Sequence, residues 1–396
     1  MASPKTIRWG ILATGAISVT FTKDLLVDPI TRGVSNIKHT VVAAASSSSK
    51  IRAESFLREC DCDASAAAYG SYEELVRDPN IDIVYIATPH SHHYQNAMLA
   101  LEAGKNILCE KAFTINAEQA KKLVAKAKEK NVLLMEAVWT RYFPLSVYVR
   151  ETIQNGVIGP VSRVIADNSV PMDPTVNFAD GKHRMVNPDL GGGALLDLGI
   201  YSLTWIFQTA YHTQEPGLRQ PPEVLAAVKK YRGSAADETT TVLLNFPRPE
   251  SAGGDIHAIA TTSFSLAGPD SSIPPVRIQG TKGEIQVFGA APRPSHTKLI
   301  LADGTIEEKA WPQPGPGKGS NWFNGYLHWA HAEGEGQGMF WEADEAASAV
   351  LEGRKEGKYL GWEETITIME VMDEIRRQGD LKYPDKIETT EYPTAL

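Results

Sequence analysis

The first third of the chain alternates short apolar runs with helix-forming stretches, and this alternation limits the possible folds more than any other feature. Five runs have the composition of buried strands: 7–12, 39–45, 82–87, 106–109 and 132–135. Helical patterns lie at 50–59, 92–103 and 117–130, and another begins near Gly15. Parallel strands need a crossover connection, which is usually a helix. The pattern therefore predicts an α/β fold, with a doubly wound Rossmann domain over residues 1–145.

After residue 150 the pattern changes to strands with few helices between them. These strand patterns lie at 161–169, 223–231, 238–246, 255–265, 275–279, 284–288 and 297–301. Helices are predicted near 322–334, 339–352 and 362–377. Successive strands joined by turns rich in proline and glycine favour antiparallel pairing. We therefore predict a C-terminal α+β domain over residues 146–396, with a mostly antiparallel open sheet.

The composition is that of a globular protein and argues against some partners. The chain has 396 residues, 42% hydrophobic and 22% charged, and its formal net charge is -9. Such acidity argues against nucleic acid or an anionic membrane surface as a partner. We find no apolar stretch that approaches the ~18–20 residues of a membrane span. The three cysteines form no disulfide-like framework, and the N-terminus lacks the flanks of a signal peptide. We therefore expect a soluble, cytoplasmic protein.

The turn after the first strand, GILATGAIS (10–18), partly matches the dinucleotide fingerprint G-x-G-x-x-G/A. Such a turn presents backbone N–H groups and a helix N-terminus to a pyrophosphate. A plain strand–turn–helix is the alternative, because Ala13 stands where a glycine is often found. The position after the first strand of a βαβ series favours the cofactor site. The residues expected to bind it are Gly10, Ala13, Thr14, Gly15, Ala16 and Ile17.

The end of the second strand indicates which dinucleotide is bound. An NAD-preferring fold usually has Asp or Glu there, to bind the ribose hydroxyls. This chain has a run of serines instead, followed by Lys50 and Arg52. Hydroxyl groups and a guanidinium would bind a 2′-phosphate that a carboxylate would repel. We therefore predict NADP, bound by Ser46, Ser47, Ser48 and Arg52, against the alternative of a polar loop that caps a helix.

The third strand ends in ATPHSHHYQNA (87–97), and ligands of open α/β sheets lie beyond the carboxyl ends of the strands. Thr88, Pro89, His90 and His93 are therefore expected beside the cofactor, His93 in the first turn of the following helix. A metal site at His92 and His93 is not predicted, because their spacing is poor and no third ligand lies nearby.

Two further stretches carry residues with possible chemistry. Glu110 and Lys111 end the fourth strand, beside the same crevice, although a lysine there could simply be a surface charge. In LGGGALLDLGIY (190–201), Asp197 and Tyr201 are four residues apart and would share one face of a helix. That stretch is either a core helix with two incidental polar residues or a helix that presents an acid and a phenol to a reaction.

The motifs together resemble a known family. TPHSHHYQNAMLALEAGKNILCEKAFTINAEQA is similar to the glucose–fructose oxidoreductase/inositol dehydrogenase (Gfo/Idh/MocA) family, whose fourth strand typically ends in E-K-P. This chain has Ala112 in place of that proline. MEAVWTRYFP (135–144) and LGGGALLDLGIY resemble the branch of dimeric dihydrodiol dehydrogenases and NADP-dependent D-xylose 1-dehydrogenases. Most of the family has a histidine as acid/base where this chain has Tyr201, as that branch does.

The resemblance implies an NADP-dependent sugar 1-dehydrogenase that oxidises cyclic D-xylose at C1 to the lactone. Tyr201 would be the base, and Lys111 would lower its pKa, since a nearby ammonium stabilises phenolate. Asp197 would orient substrate hydroxyls or share the proton path. Trp139 and Arg141 would either shape the sugar pocket or pack the domain junction.

Rival functions remain at this point. One is a dehydrogenase of aromatic trans-diols, and another is a dinucleotide sensor without catalysis, against which the presence of both Lys111 and Tyr201 argues. Four polar residues that precede the glycine run could reach the site, although their spacing assigns them no role: Asp173, Asp180, His183 and Arg184. The open sheet, together with the resemblance, predicts a homodimer through the C-terminal domain.

Overall fold

The computed structural model describes residues 3–266, 272–325, 330 and 332–396. Its first sheet is parallel, with strand order β3-β2-β1-β4-β5-β6. The strands are β1 (Lys5–Leu12), β2 (Ile37–Ala45), β3 (Ala67–Tyr69), β4 (Ile83–Ile86), β5 (Asn106–Glu110) and β6 (Leu134–Ala137). This order is that of the doubly wound dinucleotide-binding fold, in which the direction of strand addition reverses between β1 and β4. The predicted Rossmann fold is confirmed. The sequence pattern missed β3, which has only three residues.

Helices cover both faces of this sheet. They are α1 (Ala16–Leu25), α2 (Lys50–Glu59), α3 (Tyr72–Arg77), α4 (His90–Glu102) and α5 (Ala117–Lys130), and α6 (Pro144–Gln154) follows the sheet. Helix α5 shows why these stretches are helical. The Asn116 side chain accepts from the Gln119 N–H at 3.0 Å and caps its start, and Asn131 ends it in the left-handed conformation. Between the caps, the helix buries Leu123 and Val124 against the core.

The second sheet has strand order β14-β13-β12-β11-β7-β10-β9-β8. Its strands are β7 (Val161–Asp167), β8 (Glu223–Lys230), β9 (Asp237–Phe246), β10 (Ile256–Ser263), β11 (Val276–Gly280), β12 (Gly283–Gly289), β13 (Pro294–Leu301) and β14 (Ile306–Ala310). All neighbours pair antiparallel except β7 and β10. The predicted mostly antiparallel sheet is confirmed. The pattern missed β14, because its five residues are all exposed and show no apolar alternation.

The remaining helices link the two sheets. They are α7 (Pro174–Asn177), α8 (Ile200–Ile206), α9 (Phe340–Glu352), α10 (Trp362–Gln378) and α11 (Asp385–Glu388). Helix α9 packs against β2 and β5 of the first sheet, whereas α10 packs against α5 and β8, and at its start the Trp362 indole N–H donates to the Leu134 carbonyl at 2.8 Å. The helix predicted near 322–334 is wrong for 322–325 and 332–334, which form loops and turns; residues 326–329 and 331 lie outside the described part. The domain boundary at 145/146 stays a prediction.

One helical segment is long and apolar enough to cross a membrane, contrary to the sequence-based expectation. Within the described residues, Pro188–Tyr211 has 24 residues and includes an 18-residue stretch with a mean hydropathy of 1.3, but 94% of that stretch is buried inside the protein. It packs against β7 and β10, and the Ser202 hydroxyl donates to the Thr261 carbonyl at 2.8 Å. These are the surroundings of a core helix, so its length and hydropathy are weak evidence for a membrane span.

Candidate active site

The three residues predicted to be catalytic meet at the carboxyl edge of the first sheet. Lys111 follows β5, and its Nζ donates to the Asp197 carbonyl oxygen at 2.8 Å and to Asp197 Oδ1 at 3.3 Å. The same Nζ lies 5.0 Å from the centroid of the Tyr201 ring. Asp197 and Tyr201 belong to the helix that the second sheet supports. The fold thus joins side chains that are 86 residues apart in sequence.

The three glycines before this helix let the chain pass through a crowded place. Gly193 has φ +138°, and a Cβ there would lie 2.0 Å from Asp237 Oδ1. The other carboxylate oxygen of Asp237 accepts from the Leu195 N–H at 2.6 Å and so caps the start of the helix. The first turn, Leu195–Gly199, is π-helical, and α8 continues it. The helical prediction is confirmed, while its π-helical start has no signature in the sequence.

Arg184 joins the site as a second cation on Asp197. Its Nη1 donates to Asp197 Oδ1 at 3.0 Å, the same oxygen that Lys111 contacts. Burial alone would raise the pKa of Asp197, but the charges of Lys111 and Arg184 outweigh it and hold that pKa well below its ordinary value. Asp197 is therefore a buried carboxylate that stays ionised. No sequence pattern distinguishes Arg184 from its neighbours, since only the fold shows which of them contacts Asp197.

The Tyr201 phenol is a much weaker acid here than free tyrosine. Burial raises its pKa well above 10, and the nearby Glu110 and Asp197 add to the rise. The Trp139 indole N–H donates to Tyr201 Oη at 2.5 Å, which acts in the opposite direction. The pKa of Tyr201 is thus raised overall, whereas the sequence predicted that Lys111 would lower it. Burial and the carboxylates of Glu110 and Asp197 have the larger effect.

Glu110, predicted to contact the cofactor, turns into the protein. Its Oε1 accepts from the Tyr85 hydroxyl at 2.5 Å and its Oε2 from the Lys111 N–H at 3.2 Å. Burial raises its pKa, although Lys111 acts against the rise. Glu110 therefore fixes the backbone from which the Lys111 side chain extends. The peptide bond between Lys111 and Ala112 is cis.

The turn after β1 is open, as a pyrophosphate site requires. Ala13 has φ +83°, the left-handed conformation that favours glycine, and this explains why glycine is common at its position. Thr14 and Ile17 are half-buried, while Gly15 and Ala16 are exposed, and among the described residues no side chain caps the start of α1. These four residues leave free N–H groups at the edge of the sheet. Gly10 lies deeper, where a Cβ would lie 2.6 Å from Ile81, so its role is strand packing.

The serine run after β2 lies beside that turn, and Ser47 donates to the Tyr72 hydroxyl from its own hydroxyl and its N–H. Ser46 is buried, with its hydroxyl 3.5 Å from that of Ser48, while Ser47 and Ser48 are exposed. Arg52 is also exposed, and no hydrogen-bond acceptor for its guanidinium occurs in the described part of the chain. Hydroxyl donors and an unengaged guanidinium suit a phosphate.

The residues after β4 differ in their exposure. Pro89 is exposed at the start of α4, whereas Thr88 is buried and its Oγ1 accepts from the Asn96 amide at 3.2 Å. His93 bridges the carbonyls of Thr88 and Ala112, both at 2.9 Å, and ties the ends of β4 and β5 together. His90 Nδ1 lies 3.0 Å from the Gly191 carbonyl.

Burial favours the neutral form of both histidines, in which one ring nitrogen of His93 carries the proton and donates to one of its two carbonyl neighbours. Burial lowers the pKa of His90 to about 3 and that of His93 to about 4. The structure therefore supports a positioning role for them. Within the described residues, no group of three or more His, Cys, Asp or Glu is arranged to hold a metal ion.

Trp139 and Arg141, the two other predicted substrate residues, have different surroundings. Trp139 is buried against Tyr201 and Phe143, so it contacts the candidate catalytic group. Arg141 is completely buried, and its Nη2 pairs with Glu364 at 2.5 Å. The environment of Arg141 favours the alternative in which it packs the junction between the two sheets.

Comparison with known proteins agrees with this geometry. The family model described as "Oxidoreductase family, NAD-binding Rossmann fold" (GFO_IDH_MocA) matches residues 8–138, and the GFO/IDH/MocA C-terminal domain matches residues 146–286. The chain is 51% identical to D-xylose 1-dehydrogenase (NADP(+)) of Hypocrea jecorina, over 98% of this chain and 96% of that protein. It is 32% identical to trans-1,2-dihydrobenzene-1,2-diol dehydrogenase of Bos taurus, over 96% and 98% of the two chains.

Solved structures share the fold at lower identity. One is an aldose-aldose oxidoreductase from Caulobacter crescentus complexed with glycerol, with TM-score 0.71, 20% identity and coverage of 95% and 98%. Another is KijD10, a 3-ketoreductase from Actinomadura kijaniata in complex with NADP and TDP-benzene, with TM-score 0.70, 22% identity and the same coverage. The family matches cover more than half of the chain, and this chain is therefore an oxidoreductase of the Gfo/Idh/MocA family.

Proposed function

We propose that this oxidoreductase oxidises D-xylose, in its cyclic form, at C1 to D-xylono-lactone and reduces NADP. The observation that carries the proposal is the meeting of Lys111, Asp197 and Tyr201 at the sheet edge where this fold binds dinucleotides. The relative that is 51% identical over nearly the whole chain carries the name of that activity.

The preference for NADP over NAD rests on the end of β2. No carboxylate follows that strand directly, and the exposed Ser47, Ser48 and Arg52 offer donors to a 2′-phosphate. The open turn at Thr14–Ile17 would hold the pyrophosphate through its backbone N–H groups. When bound, the oxidised nicotinamide accepts the hydride that leaves C1 of the sugar.

The protein's own contribution is to take up a proton. As the hydride leaves C1, the C1 hydroxyl gives its proton to Tyr201 Oη, so that lactone, NADPH and one proton are formed. The Lys111 ammonium and the Trp139 N–H both favour the phenolate that accepts this proton. Because the pKa of Tyr201 is raised, we expect the oxidation to be fastest at alkaline pH.

An initial-rate screen tests the proposal. Reduction of NADP and of NAD would be followed with D-xylose, D-glucose, L-arabinose and an aromatic trans-diol. We expect D-xylose with NADP to give the highest kcat/KM. Activity on the diol alone would replace the proposed substrate, in line with the diol dehydrogenase relatives. NADP binding without any turnover would indicate a non-catalytic sensor.

We also propose a homodimer through the outer face of the second sheet. Leu225 on β8 and Leu243 on β9 are 64% and 49% exposed on that face, an uncommon exposure for paired leucines in a sheet. Light scattering should give twice the chain mass, and Leu225→Lys with Leu243→Lys should give a monomer. We further propose a cytoplasmic location, consistent with three free cysteines, which a fluorescent fusion would test.

A further inference from the structure

Arg184 is the exposed member of an otherwise buried group of charges. Its side chain is 53% exposed, whereas those of Asp197 and Lys111 are 7% and 13% exposed. A small molecule that approaches Asp197 from solvent therefore meets the Arg184 guanidinium first.

The backbone around Arg184 is fixed although its side chain is exposed. The carbonyl of Met185 accepts from the Gly193 N–H, and that of Asn187 accepts from the Gly192 N–H, both at 2.9 Å. Met185 and Val186 are also buried in a small apolar cluster. These contacts hold the segment against the glycine run that starts the catalytic helix. Arg184 is thus attached to the same rigid unit as Asp197, as the positioning of a substrate requires.

Most of the hydrogen-bonding capacity of Arg184 is unused. A guanidinium has five N–H donors in a fixed plane, and one of them binds Asp197 Oδ1. The described residues provide no acceptor for the other four. Asp197 is ionised and accepts hydrogen bonds, so the pair offers donors and acceptors side by side. Hydroxyl groups on neighbouring carbons of a sugar need this combination.

We propose that Arg184 is a specificity-determining residue, which donates hydrogen bonds to ring hydroxyl groups of the sugar other than the one that reacts. This inference rests on the proposed function and adds to it the group that distinguishes a polyhydroxylated ring from a bare one. Hydrogen bonds to charged groups are stronger than neutral ones, so their loss should reduce kcat/KM by about tenfold to a hundredfold.

Two substrates isolate this role. D-Xylose carries hydroxyl groups at C2, C3 and C4, whereas tetrahydropyran-2-ol has the same ring and the same reactive hemiacetal without them. Arg184→Met and Arg184→Lys would be compared with the wild type on both. The control is Arg377→Met, which removes an exposed arginine that also pairs with a carboxylate, Glu374, on the surface of α10. NADPH fluorescence titration would check that each variant still binds cofactor.

An unreactive ligand provides a second readout. 1,5-Anhydroxylitol keeps the three ring hydroxyl groups but lacks the one at C1, so its inhibition constant reports binding alone. We expect Arg184→Met to raise the KM for D-xylose and this inhibition constant together, by about tenfold or more. We expect Arg184→Lys to have a smaller effect, and the loss in Arg184→Met on tetrahydropyran-2-ol, which reflects the lost charge alone, to be about tenfold or more smaller than the loss on D-xylose.

Three results would contradict the inference about Arg184, and each would have a different meaning. Equal losses on both substrates, with an unchanged inhibition constant, would mean that Arg184 acts only through Asp197 and would overturn the inference. Unchanged kinetics in Arg184→Met would overturn it as well. A wild type without turnover of D-xylose would overturn the proposed function, and the inference with it.

Discussion

Replacing Lys111 by methionine should shift the pH dependence of the reaction as well as its rate. The substitution keeps an unbranched side chain of similar length but removes the ammonium that lies 5.0 Å from the Tyr201 ring centroid. It also leaves Asp197 with Arg184 as its remaining close cationic partner. Both changes make the surroundings of Tyr201 more negative and disfavour the phenolate.

The size of the shift follows from the distance. A unit charge at about 5 Å contributes roughly 3 kcal/mol at an effective dielectric constant of about 20, which equals about two pKa units. Asp197 offsets part of the Lys111 charge, so we expect a further rise of about one to two units in the pKa of Tyr201. At neutral pH this corresponds to a loss of about tenfold to a hundredfold in kcat/KM.

The assay is the pH profile of kcat/KM for D-xylose, from about pH 6 to pH 10.5, with NADPH affinity measured separately. Because the pKa of Tyr201 is already well above 10, kcat/KM should rise with pH across this range for both enzymes, and the curve for Lys111→Met should be displaced to higher pH with a similar loss at each pH. Lys121→Met, which removes a surface lysine paired with Glu118 and Glu370, should leave the profile unchanged. An unchanged kcat/KM, or a curve for Lys111→Met that no longer rises with pH, would refute the electrostatic role of Lys111.

Three further predictions concern other buried or unengaged charges. Arg141→Met should lower the free energy of unfolding by about 3–5 kcal/mol in urea titrations, because it removes the guanidinium partner of the buried Glu364 carboxylate and leaves it with the His212 ring; full stability would contradict this. Burial raises the pKa of Glu342 well above its usual value, and its carboxylate has no hydrogen-bond partner in the described part of the chain. Above pH ~4.5 the folded state therefore keeps the Glu342 proton, whereas the unfolded state releases it. As the pH rises, the free energy of unfolding of the wild type should fall relative to that of Glu342→Gln by up to about 1.4 kcal/mol per pH unit. A constant difference between the two unfolding free energies from about pH 5 to pH 8 would contradict a protonated Glu342. Arg52→Met should raise the KM for NADP about tenfold or more and leave the KM for NAD unchanged; equal changes would rule out contact with the 2′-phosphate.

The parallel sheet was predictable because its longer strands are largely buried and are separated by amphipathic helices. Each of the longer strands therefore leaves an apolar run in the sequence, while β3 and β14 are too short or too exposed to leave one. The grouping of Lys111 with Asp197 and Tyr201 was predictable through the resemblance, which assigned the three residues to one site.

Other features depend on contacts that no local pattern reports. Arg141 stands in an aromatic stretch like a pocket residue, yet its partner Glu364 lies 223 residues further on and buries it. Arg184 is 13 residues from Asp197, a spacing without meaning until the glycine run folds back. Whether the pKa of Tyr201 is raised or lowered depends on the opposing effects of burial and Glu110 on one side and the nearby cations on the other. Those effects depend on distances that only the folded site defines.

The most direct test of the proposed reaction uses D-xylose that carries deuterium at C1. Direct hydride transfer predicts deuterium in the NADPH formed, none at C1 of the lactone, and a slower rate than with unlabelled sugar when transfer limits turnover. Unlabelled NADPH, or deuterium retained in the sugar product, would contradict oxidation at C1 and with it the proposed function.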